Sequence, residues 1–179
     1  MDIKEEIKFE EGDWEDKLRQ RIKKEGKLHG PSGIDYFVFP KGILEEIPPF
    51  ALGRTMWDNW FLYRAWIANV PVIDATSVIT IAHQNHKVHT PKGQKVNVWR
   101  GPEAKTNQKL AGGINHAFTI RDCSKVLTRE GGLKNPKTDF YRIFSLPFRY
   151  YDKFPMLKPL LFPGWLMFVL WRKIKIINF

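Results

Sequence analysis

The fold of this chain is decided by the segment Gly53-Arg54-Thr55-Met56-Trp57-Asp58-Asn59-Trp60 and by the apolar stretch that follows it. Residues 56–69 contain no Pro or Gly, and their large apolar side chains recur at helical intervals, which predicts a helix. Two short apolar runs, 70–74 and 77–82, predict strand segments after that helix. The centre of the chain therefore predicts an α/β domain with a small mixed sheet flanked by helices.

The N-terminal part extends this pattern. A helix is predicted between Asp13, which can cap it, and Gly26, which ends it. Its apolar side chains repeat every four residues and predict a buried stripe. Residues 34–39 are dense in β-branched and aromatic side chains and predict a strand closed by Pro40.

The C-terminal part predicts shorter elements that are interrupted by prolines and glycines. Pro102 suits the first turn of a helix that runs to Leu110, and the following glycine pair stops it. Two short strands are predicted at 118–120 and 125–127, and the prolines of 131–163 indicate an irregular segment. We therefore divide the chain into a catalytic half, residues 1–130, and a basic, aromatic C-terminal extension, residues 131–179.

Charge and cysteine content narrow the function classes. Residues 1–60 carry 10 basic and 13 acidic side chains, whereas residues 121–179 carry 12 and 4. This basic half favours phosphate-bearing partners: a nucleotide, a lipid or an anionic membrane surface, or else it is a solvated face. No nucleic-acid-binding motif is present. The single cysteine, Cys123, and an N-terminus without an apolar signal region indicate a cytoplasmic protein.

Asp58 is the candidate catalytic residue. It is the only carboxylate between Glu46 and Asp74 and lies between two tryptophans, so we expect a raised pKa and a role as a general base. Trp57 and Trp60 could form a platform under a sugar ring, and Arg54 or Arg64 could face phosphate. The alternative is that Asp58 only stabilises the start of the helix through the helix dipole.

The histidine cluster is the candidate metal or phosphate site. His83, His86 and His89 fall within seven residues after an apolar strand. Imidazole suits Zn, Fe or Mn, and the cluster contains no carboxylate. Packed or surface histidines are the alternative.

The last apolar run, from Gly164 to Trp171, is too short to span a bilayer. With the basic residues after it, the run predicts a C-terminal amphipathic helix that lies at a membrane interface or packs on a core.

Several motifs together resemble a family of uncharacterised glycosyltransferase-like proteins over residues 13–130. They are Gly33-Ile34-Asp35-Tyr36-Phe37-Val38-Phe39-Pro40, Ile47–Arg54, Trp57-Asp58-Asn59-Trp60, His83-Gln84-Asn85-His86 and Trp99–Ala104, followed by Asn107 and Ala111-Gly112-Gly113. The resemblance implies a partial GT-A (nucleotide-diphospho-sugar transferase) fold. It implies Asp58 as base and His83 or His86 as a ligand of a divalent metal (Mn or Mg) or of the diphosphate. The candidate substrate-binding residues are Asp35, Arg54, Trp57, Asn59 and Trp60.

Two departures shape the functional hypothesis. The 179 residues contain no Asp-x-Asp motif, and Lys87 follows His86 where the family pattern has an acid. We therefore expect the acceptor-side half of a transferase, incomplete without a separate N-terminal nucleotide-binding half. The partners would be a nucleotide-sugar and a glycan or lipid-linked acceptor, with peripheral contact at the cytoplasmic membrane face. The alternatives are a non-catalytic carbohydrate- or lipid-phosphate-binding module and a metal-dependent hydrolase.

Overall fold

The computed structural model describes residues 2–3, 7–34, 36–44, 46–84 and 100–177. The helices are α1 (Trp14–Glu25), α2 (Trp57–Ile67), α3 (Pro102–Leu110), α4 (Phe140–Phe144), α5 (Leu146–Tyr150) and α6 (Lys158–Ile177). The strands are β1 (Asp2–Ile3), β2 (Ile73–Asp74), β3 (His83–Gln84), β4 (Lys125–Leu127) and β5 (Leu133–Lys134). Single 3₁₀ turns lie at Ile114–His116, Ile120–Asp122 and Pro155–Leu157.

The larger sheet has the order β2-β4-β5. Strands β2 and β4 are parallel, with Ile73 opposite Lys125, and β4 and β5 are antiparallel, with Leu127 opposite Leu133. Strands β1 and β3 form a separate parallel pair. The prediction of helices combined with a small mixed sheet is therefore confirmed.

The main core joins α2 to the C-terminal helices. Its seven buried members are Ile34, Leu62, Phe118, Tyr141, Phe148, Phe168 and Val169. Four of the seven follow residue 130. The division at residue 130 therefore does not separate two cores, because the C-terminal segment supplies most of the single main core.

Helix α1 begins and ends where the sequence predicts, but its packing differs from the expectation. None of its residues is buried, and Trp14 contacts Phe9 with the ring centroids 5.1 Å apart. Asp13 makes no capping hydrogen bond and instead lies 3.0 Å from Lys17 Nζ. The apolar stripe is thus only half covered.

Four secondary-structure predictions are wrong for the described residues. The segment 77–82 forms no strand, because it begins in a turn and continues without regular structure up to β3. Residues 34 and 36–39 form no strand: Phe37 and Phe39 contact Phe61 of α2, whereas Tyr36 and Val38 are exposed. Residues 118–120 lead into a 3₁₀ turn instead of a strand. The segment 131–163 is largely ordered by β5, α4, α5 and the start of α6.

Helix α6 continues through Pro163 and packs against α5. The contact is close at Gly164, where an added Cβ would lie 2.6 Å from Pro147 Cγ. No helix among the described residues combines the length and the apolar character needed to cross a membrane.

Candidate functional site

The backbone before α2 is held in a strained conformation. Met56, the residue before the helix, has φ 84° and ψ −24°, a left-handed conformation that is rare for a bulky side chain. Its side chain is 3% exposed and packs with Trp60, Ala111 and Ala117. Such strain persists only where the surroundings determine the conformation, so something must hold this turn.

Asn107 of α3 supplies that hold. Its side chain is fully buried, and its Oδ1 accepts a hydrogen bond from the Ala51 N–H at 2.8 Å. Its Nδ2 donates to the carbonyl oxygens of Ala51 at 2.9 Å and Thr55 at 3.0 Å. One amide thus ties both ends of residues 51–55 to α3 and sets the position at which α2 begins.

Asp58 is the second residue of α2 and is half-buried. Its Oδ1 accepts from the Asn59 N–H at 2.9 Å, so one carboxylate oxygen bonds the first turn, where the helix dipole favours a negative charge. Neighbouring helical residues are turned by about 100°, so Trp57 and Trp60 project from other sides of the helix than Asp58.

The two tryptophans have different environments. Trp57 is half-buried and makes edge contacts with Phe37 and Phe61, both at 6.0 Å between centroids. Trp60 is 6% exposed and is enclosed by Phe50 and Phe61. Trp57 therefore keeps surface that a ligand can reach, whereas Trp60 is buried in a smaller core cluster with Met56, Ala111 and Ala117.

The side chains of Asn59 and Arg54 both make hydrogen bonds within the protein. Asn59 is buried, and its Nδ2 donates to the Phe118 carbonyl at 2.7 Å. The Nε of Arg54 donates to Glu103 of α3 at 2.5 Å, and the Arg54 side chain is only 13% exposed. Asn59 therefore anchors α2 to the core, and a phosphate at Arg54 would compete with Glu103 for the guanidinium.

The histidine cluster is only partly described. His86, His89 and the predicted substrate-binding residue Asp35 lie outside the described residues. His83 is half-buried in β3, with its ring 5.8 Å from that of His29 in an edge arrangement. Within residues 7–34, 36–44, 46–84 and 100–174, no three His, Cys, Asp or Glu side chains are grouped so that they could hold a metal ion. The described residues thus bring together two histidines but no metal-ligand set.

A polar cluster around His116 was not predicted. The Nδ1 of His116 contacts the Ala111 carbonyl oxygen, and its Nε2 lies 3.2 Å from Asp152 Oδ2. Its ring stacks on Tyr63 at 3.7 Å and 11°. Both ring nitrogens thus face oxygen atoms, one of the backbone and one of a carboxylate. No spacing signal could have found the pair, because 36 residues separate His116 from Asp152.

Gly112 explains how that histidine ring fits. A Cβ at Gly112 would lie 2.6 Å from His116 Nδ1, and φ there is +82°. The predicted glycine stop after α3 therefore also makes room for the imidazole. Burial, aided by the charge of Asp152, raises the pKa of Tyr63 to about 12.

Asp122 is a more deeply buried acid than Asp58. It is 2% exposed, and its Oδ2 accepts hydrogen bonds from the N–H and hydroxyl of Thr119 and from the Tyr141 hydroxyl. Burial, followed by the charge of Asp122, raises the pKa of Tyr141 to about 12. All these partners belong to the core, so Asp122 fixes the 3₁₀ turn at residues 120–122.

Two open grooves of about 400 Å³ run along α1. One is lined by Trp14, Lys17 and Arg21 among others, and the second by Leu18, Ile22 and Thr80 among others. Neither is lined by Arg54, Trp57 or Asp58, so these grooves are separate from the start of α2.

The structure is thus an α/β domain in which Asn107 holds the turn before α2 and Asp58 lies in the first turn of that helix. No protein-family model, curated protein sequence or solved structure matches the chain.

Proposed function

We propose that this chain forms the acceptor-side half of a glycosyltransferase-like enzyme, in which Asp58 takes the proton from an acceptor hydroxyl. The observation that carries the proposal is the braced turn before α2. Asn107 makes three hydrogen bonds to residues 51–55, and Met56 keeps a left-handed backbone directly before Trp57 and Asp58. Backbone strain of this kind costs on the order of 1–3 kcal/mol and clusters at functional sites.

The chemistry requires little movement of the chain. The Asn59 N–H engages one Asp58 oxygen and so fixes the orientation of the carboxylate, which in the proposed reaction takes the proton of the acceptor hydroxyl. The half-buried ring of Trp57, the preceding residue, offers an apolar surface for a sugar ring. These two side chains thus suit an acceptor that presents both a hydroxyl and an apolar ring face.

The donor side would be completed by another polypeptide segment. A divalent metal there would neutralise the leaving diphosphate. The part of this chain contributed to that side would be His83, together with Arg54 once Glu103 is displaced. We expect weak or no sugar transfer by this chain alone.

The test is sugar transfer by the enzyme reconstituted with its nucleotide-binding half. Asp58→Asn should lower kcat by about 10²-fold or more, because general-base catalysis contributes about 10²–10⁴-fold. Asp16→Asn is the matched control, since Asp16 is also a carboxylate in the first turn of a helix. Unchanged turnover in Asp58→Asn, with the control also unchanged, would remove Asp58 from the mechanism.

The second candidate is a carbohydrate- or lipid-phosphate-binding module without catalysis. The Arg54–Glu103 ion pair favours the carbohydrate-binding form of this module, because the pair occupies the cation that would bind phosphate, whereas the half-buried Trp57 ring keeps surface for a sugar. Glycan-array binding that depends on Trp57 and persists in Asp58→Asn, with no turnover of nucleotide-sugars after reconstitution, would support this module over the enzyme.

A further inference from the structure

Two histidines from separate parts of the chain meet beyond the C-terminal end of α1. The rings of His29 and His83 lie 5.8 Å apart between centroids, with their planes at 66°. Both side chains are half-buried, so the protein encloses one side of each ring and solvent reaches the other. Two imidazoles this close together can contact the same small ligand.

A tight turn positions His29. The Gly33 N–H donates to the Gly30 carbonyl at 2.9 Å, which folds the backbone of Gly33 against the imidazole. A Cβ at Gly33 would lie 2.6 Å from His29 Cβ and 3.0 Å from its Nδ1, so only glycine allows this close approach. The next residue, Ile34, is buried in the main core. His29 is therefore carried by a turn that the core anchors.

Strand pairing positions His83. It is the first residue of β3, and its backbone lies opposite Asp2 of β1 in the parallel pair. The pleat of a paired strand fixes the side of the sheet on which a side chain stands. Both histidine rings also have other interactions within the chain. An imidazole has two nitrogens, so one can bind an ion while the other keeps a hydrogen bond, as in most metal-bound histidines.

The distance between the two rings fits a shared metal ion. A zinc ion lies about 2.0–2.1 Å from an imidazole nitrogen, which places it about 3.2 Å from the centre of that ring. Two rings that bind one ion at a near-tetrahedral angle therefore have centres about 5–6 Å apart. The 5.8 Å between His29 and His83 lies within this range. The pair is thus spaced as two ligands of one ion are.

We propose that His29 and His83 together bind one divalent transition-metal ion of the class of Zn²⁺. Imidazole suits Zn, Cu and Ni, whereas Mg and Ca prefer oxygen ligands. Two imidazoles are fewer than the three protein ligands of a typical catalytic zinc site, so water or phosphate oxygens fill the other coordination positions. The sequence grouped His83 with the histidines that follow it, whereas the structure pairs it with His29. This inference goes beyond the proposed function and does not depend on Asp58.

The experiment is calorimetric titration of the whole chain, freed of metal by dialysis against a chelator, with ZnCl₂ and separately with MgCl₂. We expect the chain to bind zinc and not magnesium. His29→Gln and His83→Gln should each weaken zinc binding by about tenfold or more, because even the loss of an outer partner of a metal-bound histidine costs about 10–100-fold in affinity. His116→Gln is the matched control, since the His116 ring nitrogens already face the Ala111 carbonyl and Asp152.

The variant at His29 separates this site from the histidine cluster of residues 83–89. Zinc binding that needs His83 but survives His29→Gln would place the ion in that cluster and overturn the proposal. Absence of binding by the wild-type chain, or equal affinity in all variants, would overturn it too. Circular dichroism checks that each variant is folded. If one is not, mass spectrometry of the wild-type chain after diethyl pyrocarbonate treatment decides: zinc should protect both His29 and His83, and protection of His83 without His29 contradicts the pair.

Discussion

Replacing Asn107 by Ala tests whether the turn before α2 is held as described. The substitution removes three hydrogen bonds from a fully buried side chain and leaves the Ala51 N–H and the carbonyls of Ala51 and Thr55 without this partner. A hydrogen bond contributes about 1 kcal/mol net, and a buried group left unpaired costs about 1–3 kcal/mol. We therefore expect the free energy of unfolding to fall by about 3–5 kcal/mol.

The assay is urea unfolding followed by tryptophan fluorescence. Asn135→Ala is the matched control, because Asn135 is exposed and makes one side-chain hydrogen bond, to Lys125 at 2.8 Å. An exposed bond of this kind contributes little, so the control should change the stability by less than about 0.5 kcal/mol. A loss below about 1 kcal/mol for Asn107→Ala, or equal losses in both variants, would refute the role assigned to Asn107.

Two further substitutions probe the C-terminal half. Gly164→Ala should lower the free energy of unfolding by about 1–3 kcal/mol, because the new Cβ would lie 2.6 Å from the Pro147 ring. Gly12→Ala is the control and should be neutral, because no atom lies within 4 Å of its new Cβ. Stabilisation by Gly164→Ala in urea unfolding would contradict the close contact of α5 with α6. Burial raises the pKa of Tyr141 from 10.0 to about 12, so this phenol ionises at lower pH in the unfolded chain than in the folded one. The contribution of the neutral buried phenol to folding stability is therefore complete below pH 10 and is lost as the pH rises towards 12. Tyr141→Phe should flatten the fall of the thermal midpoint over that range, and an unchanged slope would show that the phenol does not contribute.

The helices with local signals were predictable. Residues 56–69 contain no breaker, and α2 forms there; Pro102 and the glycines after Leu110 bound α3 as expected. The strand predicted at 34–39 shows the limit of such reasoning. Its composition suits a strand, but a strand also needs a partner backbone, and the described residues of that segment have side-chain contacts with α2 instead.

The segment 131–163 also differs from its prediction, for a related reason. Prolines suggested an irregular segment, yet Pro147 and Pro155 stand at the first or second residue of a helix, where a missing N–H costs nothing. Pro163 is inside α6, and tertiary packing on α5 outweighs its local cost.

For the candidate site, the sequence located the helix start but not its neighbours. Asp58 lies in the first turn of α2, as expected from the helix predicted over residues 56–69. Long-range contacts decided the rest. No local pattern encodes contacts between residues that are distant in sequence. Such contacts bury Trp60, join the Asn59 side chain to the Phe118 carbonyl by a hydrogen bond and pair His116 with Asp152.

The composition of the main core has a consequence for biosynthesis. Leu62 and Phe118 emerge from the ribosome before Tyr141, Phe148 and Phe168, which cover them in the finished protein. The nascent chain therefore carries an uncovered apolar surface until Phe168 has been synthesised. Release of a chain that stops near residue 130 should give an aggregation-prone product and not a smaller working domain.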